Sequence, residues 1–216
     1  QDAFSIASIE RALSAMENQF KDEIAPVKVK SRRGETVVSE DQEPPSSKID
    51  RIPTLRAAFK KDGTVTAASS SKISDGAAAT VLMSAEKAAE LGVTPLATII
   101  AHSTFSQDPE WFTTAPIGAI ELVLKKAGWS IDEVDLFEVN EAFATVTMAA
   151  MHELNIDHDK MNVNGGACAL GHPIGASGAR VVVTLINALR QRGLKKGVAA
   201  LCIGGGEATA LAIELP

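Results

Sequence analysis

The stretch GHPIGASG at residues 171–178 sets His172 between a glycine and a proline, directly before a helix predicted over residues 175–190. These two neighbours define the backbone shape, so the imidazole is held by the loop rather than by a long flexible stem. An apolar run after the helix predicts a strand over residues 198–203. A helix followed by a strand is typical of an α/β arrangement.

Two further candidate residues lie at or near the ends of predicted strands. Asn140 directly follows a strand predicted over residues 135–139, and Cys202 opens the run CIGGG at residues 202–206. Ligand sites in α/β folds form at strand ends and on the loops beside them. His172, Asn140 and Cys202 are therefore the first candidates for a functional site.

The rest of the chain alternates between helical and extended patterns. Helices are predicted over residues 1–20, 84–91, 116–127 and 141–154, and strands over residues 97–101 and 208–215. Residues 27–38 have the pattern of a hairpin with a glycine in its turn, and two prolines within residues 41–47 indicate a loop. The apolar run at residues 77–83 fits a buried helix or a buried strand. Together these elements predict a layered α/β fold, with helices covering a mixed β-sheet.

Composition narrows the class of protein. The 216 residues are 45% apolar, enough for a real core, and the net charge of −6 argues against a nucleic-acid partner. Two cysteines make no disulfide framework, so a reducing compartment, the cytoplasm, is predicted. No apolar run approaches the roughly 18 residues of a membrane span, and no signal peptide is recognisable. Helical spacing begins with the first residues, which indicates one part of a longer protein.

Three segments, taken in order, resemble the thiolases of the acetyl-CoA acetyltransferase type. They are residues 140–144, 164–178 and 202–206, and the likeness also reaches residues 62–67 and 74–77. The resemblance implies a thiolase-like layered α/β fold, with the C-terminal domain and part of the lid or loop domain. It divides the chain into a partial lid or loop domain at 1–73, a remnant of the N-terminal domain at 74–94 and the C-terminal domain at 95–216.

The resemblance also implies an activity. Thiolases are acyltransferases that make or cleave 3-ketoacyl-CoA, here acetoacetyl-CoA plus CoA from two acetyl-CoA, by reversible Claisen condensation or thiolysis. Coenzyme A thioesters are the expected substrates, with no further cofactor and no metal. The family's nucleophilic cysteine lies in the N-terminal domain and has no counterpart in this chain, so we expect a partner segment that carries it. A homo-oligomer, a dimer or tetramer, is also expected, without a nucleic acid or a membrane as partner.

By the same resemblance, four residues take catalytic roles. His172 activates the nucleophile, Cys202 exchanges the α-proton of the substrate, Asn140 holds a water against a thioester oxygen, and Gly204 offers an N–H to the oxyanion. The local sequence leaves simpler roles open: a loop histidine, a small core cysteine and a helix N-cap. It predicts a neutral imidazole near a helix N-terminus, and a Cys202 thiol that exchanges protons at neutral pH if its surroundings lower its pKa.

The resemblance assigns four further residues to coenzyme A. Ser71 would bond the pantetheine arm, and Phe59, Ala142 and Phe143 would line the tunnel for that arm. A plain turn at residues 69–71 is the local alternative for the serine.

Several other residues have simpler interpretations. The basic residues of the hairpin are candidates to attract the CoA phosphates, although a solvated hairpin face is the more ordinary interpretation: Lys28, Lys30, Arg32 and Arg33. Residues 43–47 depart from thiolases that carry a basic residue there, which puts the contacts to the adenine-nucleotide end in doubt. Cys168 is predicted to be structural, and Glu141 to fix loop geometry. The histidines outside the loop show no metal-ligand spacing: His102, His152 and His158.

Two other interpretations stay open. The missing nucleophile fits a non-catalytic CoA-binding or assembly subunit of a thiolase-like complex, whereas a pure scaffold would not need His172, Asn140 and Cys202 together. Alternatively, the chain is one piece of a nicked or partly ordered enzyme.

Overall fold

The computed structural model describes residues 1–32 and 34–216. Its α-helices are α1 (Asp2–Glu17), α2 (Glu43–Ser46), α3 (Ala85–Leu91), α4 (Ala115–Ala127), α5 (Ala144–Glu153), α6 (Ala167–Leu170) and α7 (Ser177–Arg192). Its strands are β1 (Val27–Ser31), β2 (Gly34–Val38), β3 (Thr98–Ser106), β4 (Leu136–Val139), β5 (Lys196–Ile203) and β6 (Glu207–Glu214). Within these ranges, no helix combines the length and the apolar character needed to cross a membrane.

A four-stranded mixed sheet forms the centre, in the order β3-β6-β5-β4. β4 runs parallel to β5, with Val139 opposite Ala200, and the other neighbours pair antiparallel. All four residues of β4 are buried, as expected for a strand that is covered on both faces. The layered α/β fold with a mixed sheet, predicted from the sequence, is confirmed.

Helices cover both faces of the sheet. On one face, Ile120 and Val123 of α4 and Val146 of α5 share a buried cluster with Phe137 and Val139 of β4. On the other face, α7 buries apolar side chains at helical spacing against the strands: Val181, Leu185, Ala188 and Leu189. Because α7 follows the GHPIGASG loop directly, its packing also fixes where that loop lies.

Helix α1 packs against the short helix α6. Ile9 and Ala12 of α1 share a buried cluster with Ala169 of α6. The helix predicted over residues 1–20 is confirmed, although α1 is slightly shorter. This contact brings the first part of the chain beside the loop that carries His172.

Two helices begin later than the sequence predicts. The sequence predicts a helix from residue 141, but α5 starts at Ala144, with Phe143 in extended backbone at its N-cap position. Similarly, α7 starts at Ser177 instead of residue 175. The N-cap alternative for Asn140 is therefore wrong. Residues 140–143 form a loop, so their backbone groups are not used in the hydrogen bonds of a helix.

The first third of the chain contains a hairpin and a short helix. β1 and β2 pair antiparallel, with Val27 opposite Val38, so the predicted hairpin is confirmed. The loop predicted at residues 41–47 is wrong in part, because it contains α2. Its prolines lie in the first turn of the helix, where a missing N–H removes no intrahelical hydrogen bond.

The apolar run at residues 77–83 forms neither of the predicted buried elements. It is neither helix nor strand, and Val81 and Leu82 are 85% and 73% exposed. Helix α3, directly after it, is confirmed with its cap: Ser84 Oγ accepts a hydrogen bond from the Lys87 N–H at 3.2 Å. The cap is a local interaction, whereas burying the run requires a neighbour that residues 1–32 and 34–216 do not supply.

Candidate active site

The loop that carries His172 is held beneath the segment at residues 72–74. The His172 N–H donates to the Lys72 carbonyl oxygen at 2.9 Å. Gly171 has φ +90°, a left-handed conformation that favours glycine, and a side chain there would collide with Ser74. The positive φ and the close approach of Ser74 both require a glycine at 171, so the loop sets the position of the imidazole as the sequence predicts.

Both ring nitrogens of His172 have polar neighbours. Nδ1 lies 2.6 Å from Ser177 Oγ, and Nε2 lies 3.4 Å from the Asn140 Nδ2. Burial lowers the pKa of His172, and the positive charge of Arg180 lowers it further. The imidazole is therefore neutral at neutral pH, which is the form that can accept a proton.

Asn140 is fixed through its backbone and leaves one side-chain acceptor unused. Its N–H donates to the Ala200 carbonyl at 2.9 Å, and its own carbonyl accepts from the Ala142 N–H at 2.9 Å. The residue is 1% exposed. Within the described residues, its Oδ1 is buried without a hydrogen-bond partner. A buried amide oxygen without a partner is costly, and a bound water or ligand group would satisfy it.

Glu141 was predicted to fix loop geometry, and in the structure its side chain contacts three separate parts of the chain. Its buried carboxylate accepts hydrogen bonds from Ser8 Oγ at 2.7 Å, Asn162 Nδ2 at 2.9 Å and the Cys168 N–H at 3.0 Å. Ser8 belongs to α1 and Cys168 to α6, so one side chain ties both helices to the loop after β4. These hydrogen bonds fix the position of the loop that carries Asn140.

Asn162 is a structural residue that the sequence analysis missed. Its side chain accepts from the Val139 N–H at 2.9 Å and donates to the Val139 carbonyl at 2.8 Å, so it pairs with the last residue of β4. It has φ +45°, which asparagine tolerates better than most residues. The run NVNGG at residues 162–166 is typical of such a turn and was the available signal.

Cys202 lies near the end of β5, opposite Ala208 of β6. Its side chain is partly buried against the core, and burial raises the pKa of the thiol. These surroundings therefore do not lower the pKa, which the sequence analysis required for proton exchange at neutral pH. The thiol instead keeps its proton, because the apolar surroundings disfavour the thiolate.

The glycines after Cys202 form the turn between β5 and β6. Gly204 is exposed, and a side chain there would meet open space. Gly206 has φ +94° and accepts a hydrogen bond from the Gln107 N–H at 3.0 Å. The turn is thus anchored at Gly206 and leaves Gly204 accessible to a ligand.

Sheet pairing brings these candidates to one edge. Because β4 is parallel to β5 with Val139 opposite Ala200, Asn140 leaves β4 at the edge where β5 reaches Cys202. Asn140 and His172 are in contact, as described above. In the part of the chain that the structure describes, no hydrogen bond links Cys202 to either of them.

The four residues assigned to coenzyme A lie together. The Ser71 N–H donates to the Ala142 carbonyl at 3.0 Å, and the rings of Phe59 and Phe143 meet edge to face with centroids 5.9 Å apart. Phe59 is 70% exposed, whereas Ser71, Ala142 and Phe143 are half-buried. The sequence-predicted contacts therefore share one surface next to Asn140.

The serines before Ser71 form the turn that the local sequence predicts. Ser69 Oγ accepts from the Thr66 N–H at 2.9 Å, and Ser70 Oγ donates to the Thr66 carbonyl at 2.8 Å. Ser70 also pairs with Phe143 as an isolated bridge. The turn thus docks residues 66–71 onto the loop after Asn140.

The hairpin presents its charges to solvent. Lys28, Lys30 and Arg32 are exposed, and Lys28 Nζ lies 3.6 Å from a Glu35 carboxylate oxygen. Arg33 lies outside the described residues. Residues 43–47, which lack the expected basic residue, bind Lys72 instead, through Glu43 at 3.6 Å and Ser47 at 3.2 Å.

The remaining cysteine and histidines do not enlarge the site. Cys168 is fully buried, and its surroundings raise the pKa of the thiol, mainly by burial, so it is unreactive there. Among residues 1–32 and 34–216, no group of three or more His, Cys, Asp or Glu side chains could hold a metal ion.

Comparison with known proteins gives this geometry a family. Residues 93–215 match the profile described as "Thiolase, C-terminal domain". Residues 1–86 match the profile described as "Thiolase, N-terminal domain". The chain belongs to the thiolase family. The profiles change between residues 86 and 93, while the division at 1–73, 74–94 and 95–216 stays a prediction.

Relatives of this thiolase chain are similar along all of it. A probable acetyl-CoA acetyltransferase of Dictyostelium discoideum is 53% identical over 99% of this chain and 52% of its own length. An acetyl-CoA acetyltransferase of Chromobacterium violaceum is 50% identical over 100% of this chain and 56% of its own length. The thiolase chain spans about half the length of the curated relatives it matches.

Solved structures agree with the thiolase fold. The crystal structure of the Bacillus anthracis acetyl-CoA acetyltransferase has a TM-score of 0.97 and 46% identity, over 100% of this chain and 55% of that one. Human mitochondrial 3-ketoacyl-CoA thiolase has a TM-score of 0.92 and 38% identity, again over 100% and 55%. The fold implied by the sequence resemblance is thereby confirmed.

Proposed function

We propose that this chain supplies the acid–base and oxyanion-binding part of a thiolase that makes and cleaves 3-ketoacyl-CoA. The contact between Asn140 and His172 carries the proposal, because it sets a neutral imidazole beside a buried amide whose Oδ1 has no partner in residues 1–32 and 34–216. Acetyl-CoA and acetoacetyl-CoA are the proposed substrates, since the relatives at 53% and 50% identity are named acetyl-CoA acetyltransferases. No cofactor or metal beyond the CoA thioester is proposed.

The first acyl transfer uses His172 as the base. The Nε2 lone pair takes the proton of a cysteine thiol on a segment outside this chain, and the thiolate attacks the carbonyl carbon of acetyl-CoA. A new C–S bond forms, the bond between the acyl carbon and the CoA sulfur breaks, and the CoA thiolate receives the proton from His172. Covalent transfer divides one difficult carbon–carbon step into two easier steps.

The second step uses Cys202. In its thiolate form, which burial disfavours, it removes the α-proton of a second acetyl-CoA, and the carbanion attacks the carbonyl carbon of the acyl-enzyme. The bond between the acyl carbon and the nucleophile's sulfur breaks, acetoacetyl-CoA forms, and the released thiolate takes the proton from Cys202. In thiolysis the order reverses, and the Cys202 thiol gives its proton to the departing carbanion. The raised pKa of Cys202 supports this second direction, because the buried thiol starts with its proton.

Negative charge on the thioester oxygen needs donors. A water that donates one hydrogen bond to Asn140 Oδ1 would donate its other proton to one oxyanion, together with the protonated Nε2 of His172. The Gly204 N–H would donate to the other oxyanion. The exposed position of Gly204 supports this role. The pantetheine arm is proposed to lie along Ser71, Phe59 and the loop after Asn140.

The exposed apolar run at residues 77–83 supports a partner segment. Val81 and Leu82 are largely exposed in this chain. Contiguous exposed apolar stretches of this kind usually mark a surface that a partner covers. The occupant we propose is the N-terminal thiolase half that carries the nucleophilic cysteine. The same surface would also serve the alternative function, a non-catalytic CoA-binding or assembly subunit. Homo-oligomerisation and a cytoplasmic location stay predictions.

Turnover separates the two functions. Acetoacetyl-CoA cleavage with CoA is assayed for residues 1–216 alone and for the complete protein that contains them, after each mass is confirmed. Residues 1–216 alone should be inactive, because neither Cys168 nor Cys202 is a credible acyl carrier. The complete protein should be active and lose about 10²–10⁴-fold with His172→Ala. A complete protein that binds CoA without turnover would establish the non-catalytic subunit instead.

A further inference from the structure

We propose that Ser177 holds His172 in the tautomer with its proton on Nδ1, so that the Nε2 lone pair faces Asn140. The inference rests on the proposed role of His172 as a base and adds a positioning residue to it. Ser177 is the serine of GHPIGASG, and local sequence patterns assign it no role. The only signal was a hydroxyl residue at the start of the helix that follows the loop.

Ser177 is the first residue of α7 and is fully buried. Its Oγ lies 2.6 Å from His172 Nδ1 and 3.1 Å from the carbonyl oxygen of Pro173. A hydroxyl has one proton to donate, and a carbonyl oxygen can only accept. When the proton of Ser177 goes to Pro173, Oγ is left as an acceptor, and the proton between Oγ and the ring must come from Nδ1.

The other side of the ring agrees with this direction. The Asn140 Nδ2, a donor, lies 3.4 Å from Nε2, which therefore acts as the acceptor. One direction then runs through the whole chain of contacts, from Asn140 to Nε2, from Nδ1 to Ser177, and from Ser177 to Pro173. Each contact has one proton, whereas the opposite tautomer leaves two donors facing each other at Nε2.

This arrangement matters because a neutral imidazole carries its proton on either nitrogen. The nitrogen that keeps the proton is set by the hydrogen bond made by the other side of the ring. The Ser177 N–H also donates to the Pro173 carbonyl at 2.9 Å, which holds the hydroxyl against the loop. Ser177 therefore keeps the basic nitrogen on the side where Asn140 and the substrate would meet it.

The test is Ser177→Ala in the complete protein, compared with Ser74→Ala. Ser74 is a matched control, because its buried Oγ lies against the same loop and has no hydrogen-bond partner among the described residues. Ser177→Ala should lower kcat/KM for acyl loading by about 10–100-fold, by analogy with the loss of a partner that orients a metal-binding histidine. KM should change little, and Ser74→Ala should behave as wild type.

The pH profile distinguishes positioning from a general structural effect. A hydroxyl that accepts from Nδ1–H stabilises the protonated ring, so its removal should lower the pKa of His172 further. A hydroxyl that donates to Nδ1 would stabilise the neutral ring, and its removal would raise the pKa. A raised pKa, or a Ser177→Ala protein with the activity of Ser74→Ala, overturns the proposal.

A second measurement does not depend on activity. In complete protein labelled with ¹⁵N-histidine, long-range ¹H–¹⁵N spectra report which nitrogen of each neutral imidazole carries the proton, and His172→Gln identifies the signal. The wild type should be protonated on Nδ1, and protonation on Nε2 overturns the proposal even if Ser177→Ala folds poorly. If the wild-type protein shows no thiolysis, the proposed function is rejected, and the NMR result still decides which nitrogen of His172 carries the proton.

Discussion

The carboxylate of Glu141 fills the space into which a side chain at Gly166 would project. A Cβ at residue 166 would lie 2.7 Å from Glu141 Oε2, with other carboxylate atoms closer still. Gly166 also donates its N–H to Ser8 Oγ at 3.0 Å, the same hydroxyl that donates to Glu141. The φ of Gly166 is −143°, which any residue can adopt, so backbone conformation does not require a glycine here. The close approach of the Glu141 carboxylate does.

Gly166→Ala should destabilise the protein by about 1–3 kcal/mol, the usual cost of an extra methyl in a packed site. The Glu141 carboxylate cannot move away without losing its hydrogen bonds to Ser8, Asn162 and the Cys168 N–H. Urea unfolding measures the change. Gly178→Ala is the control, because nothing lies within 4 Å of a Cβ there and alanine suits the first turn of α7. Equal stabilities for the two variants would contradict the close-packing argument.

Glu138 should make the folded protein less stable as the pH rises. The residue is buried, and burial raises its pKa to about 8, although the Arg180 guanidinium at 3.5 Å opposes the shift. An unfolded glutamate titrates near ~4.3. Between these values the folded state keeps a proton that the unfolded state has lost, so the free energy of unfolding falls with increasing pH.

Glu138→Gln removes this titration and should flatten the decline. Denaturant unfolding of wild type and variant from about pH 4.5 to 8 gives the two slopes. Glu121→Gln, an exposed change on α4, should keep the wild-type slope. A Glu138→Gln protein that retains that slope would show that the glutamate is ionised in the folded state.

Cys202→Ser in the complete protein should impair carbon–carbon bond formation more than acyl loading. Serine is a far weaker acid than the thiol, so the α-proton step should fall by roughly 10²–10⁴-fold while CoA exchange changes much less. Labelled CoA exchange reports loading, and acetoacetyl-CoA formation reports condensation. Cys168→Ala, at the buried cysteine, should leave the ratio of the two rates unchanged. Equal losses in both assays would exclude Cys202 as the α-proton base.

Ser71→Ala should weaken CoA binding to the complete protein by about 0.5–1.5 kcal/mol, the value of one neutral hydrogen bond. Calorimetry with CoA gives the dissociation constant directly. Ser70→Ala is the matched neighbour, since the Ser70 hydroxyl bonds the Thr66 carbonyl within the turn. If Ser71→Ala and Ser70→Ala bind CoA equally well, the serine run is a plain turn.

Much of the secondary structure could be predicted from local patterns. Ser84 and Gly92 mark the two ends of α3, and Gly128 ends α4 in the left-handed conformation, because caps depend on residues within one turn of the helix. The three segments that carry His172, Asn140 and Cys202 were recognisable for a similar reason. Each is a short run whose glycines, proline or asparagine define its own backbone.

The amino-acid sequence by itself determined most of the helices and strands, their order along the chain, and the resemblance to the family, but not α2 or the irregular backbone of residues 77–83. Only the tertiary structure decided that residues 141–143 are a loop, because the Glu141 carboxylate bonds Ser8 and the Cys168 N–H from distant parts of the chain. It also decided that Cys202 has a raised pKa, since desolvation depends on what packs around a group. The contact of Asn140 with His172 has the same origin, because parallel pairing and helix packing act between residues that local patterns do not relate.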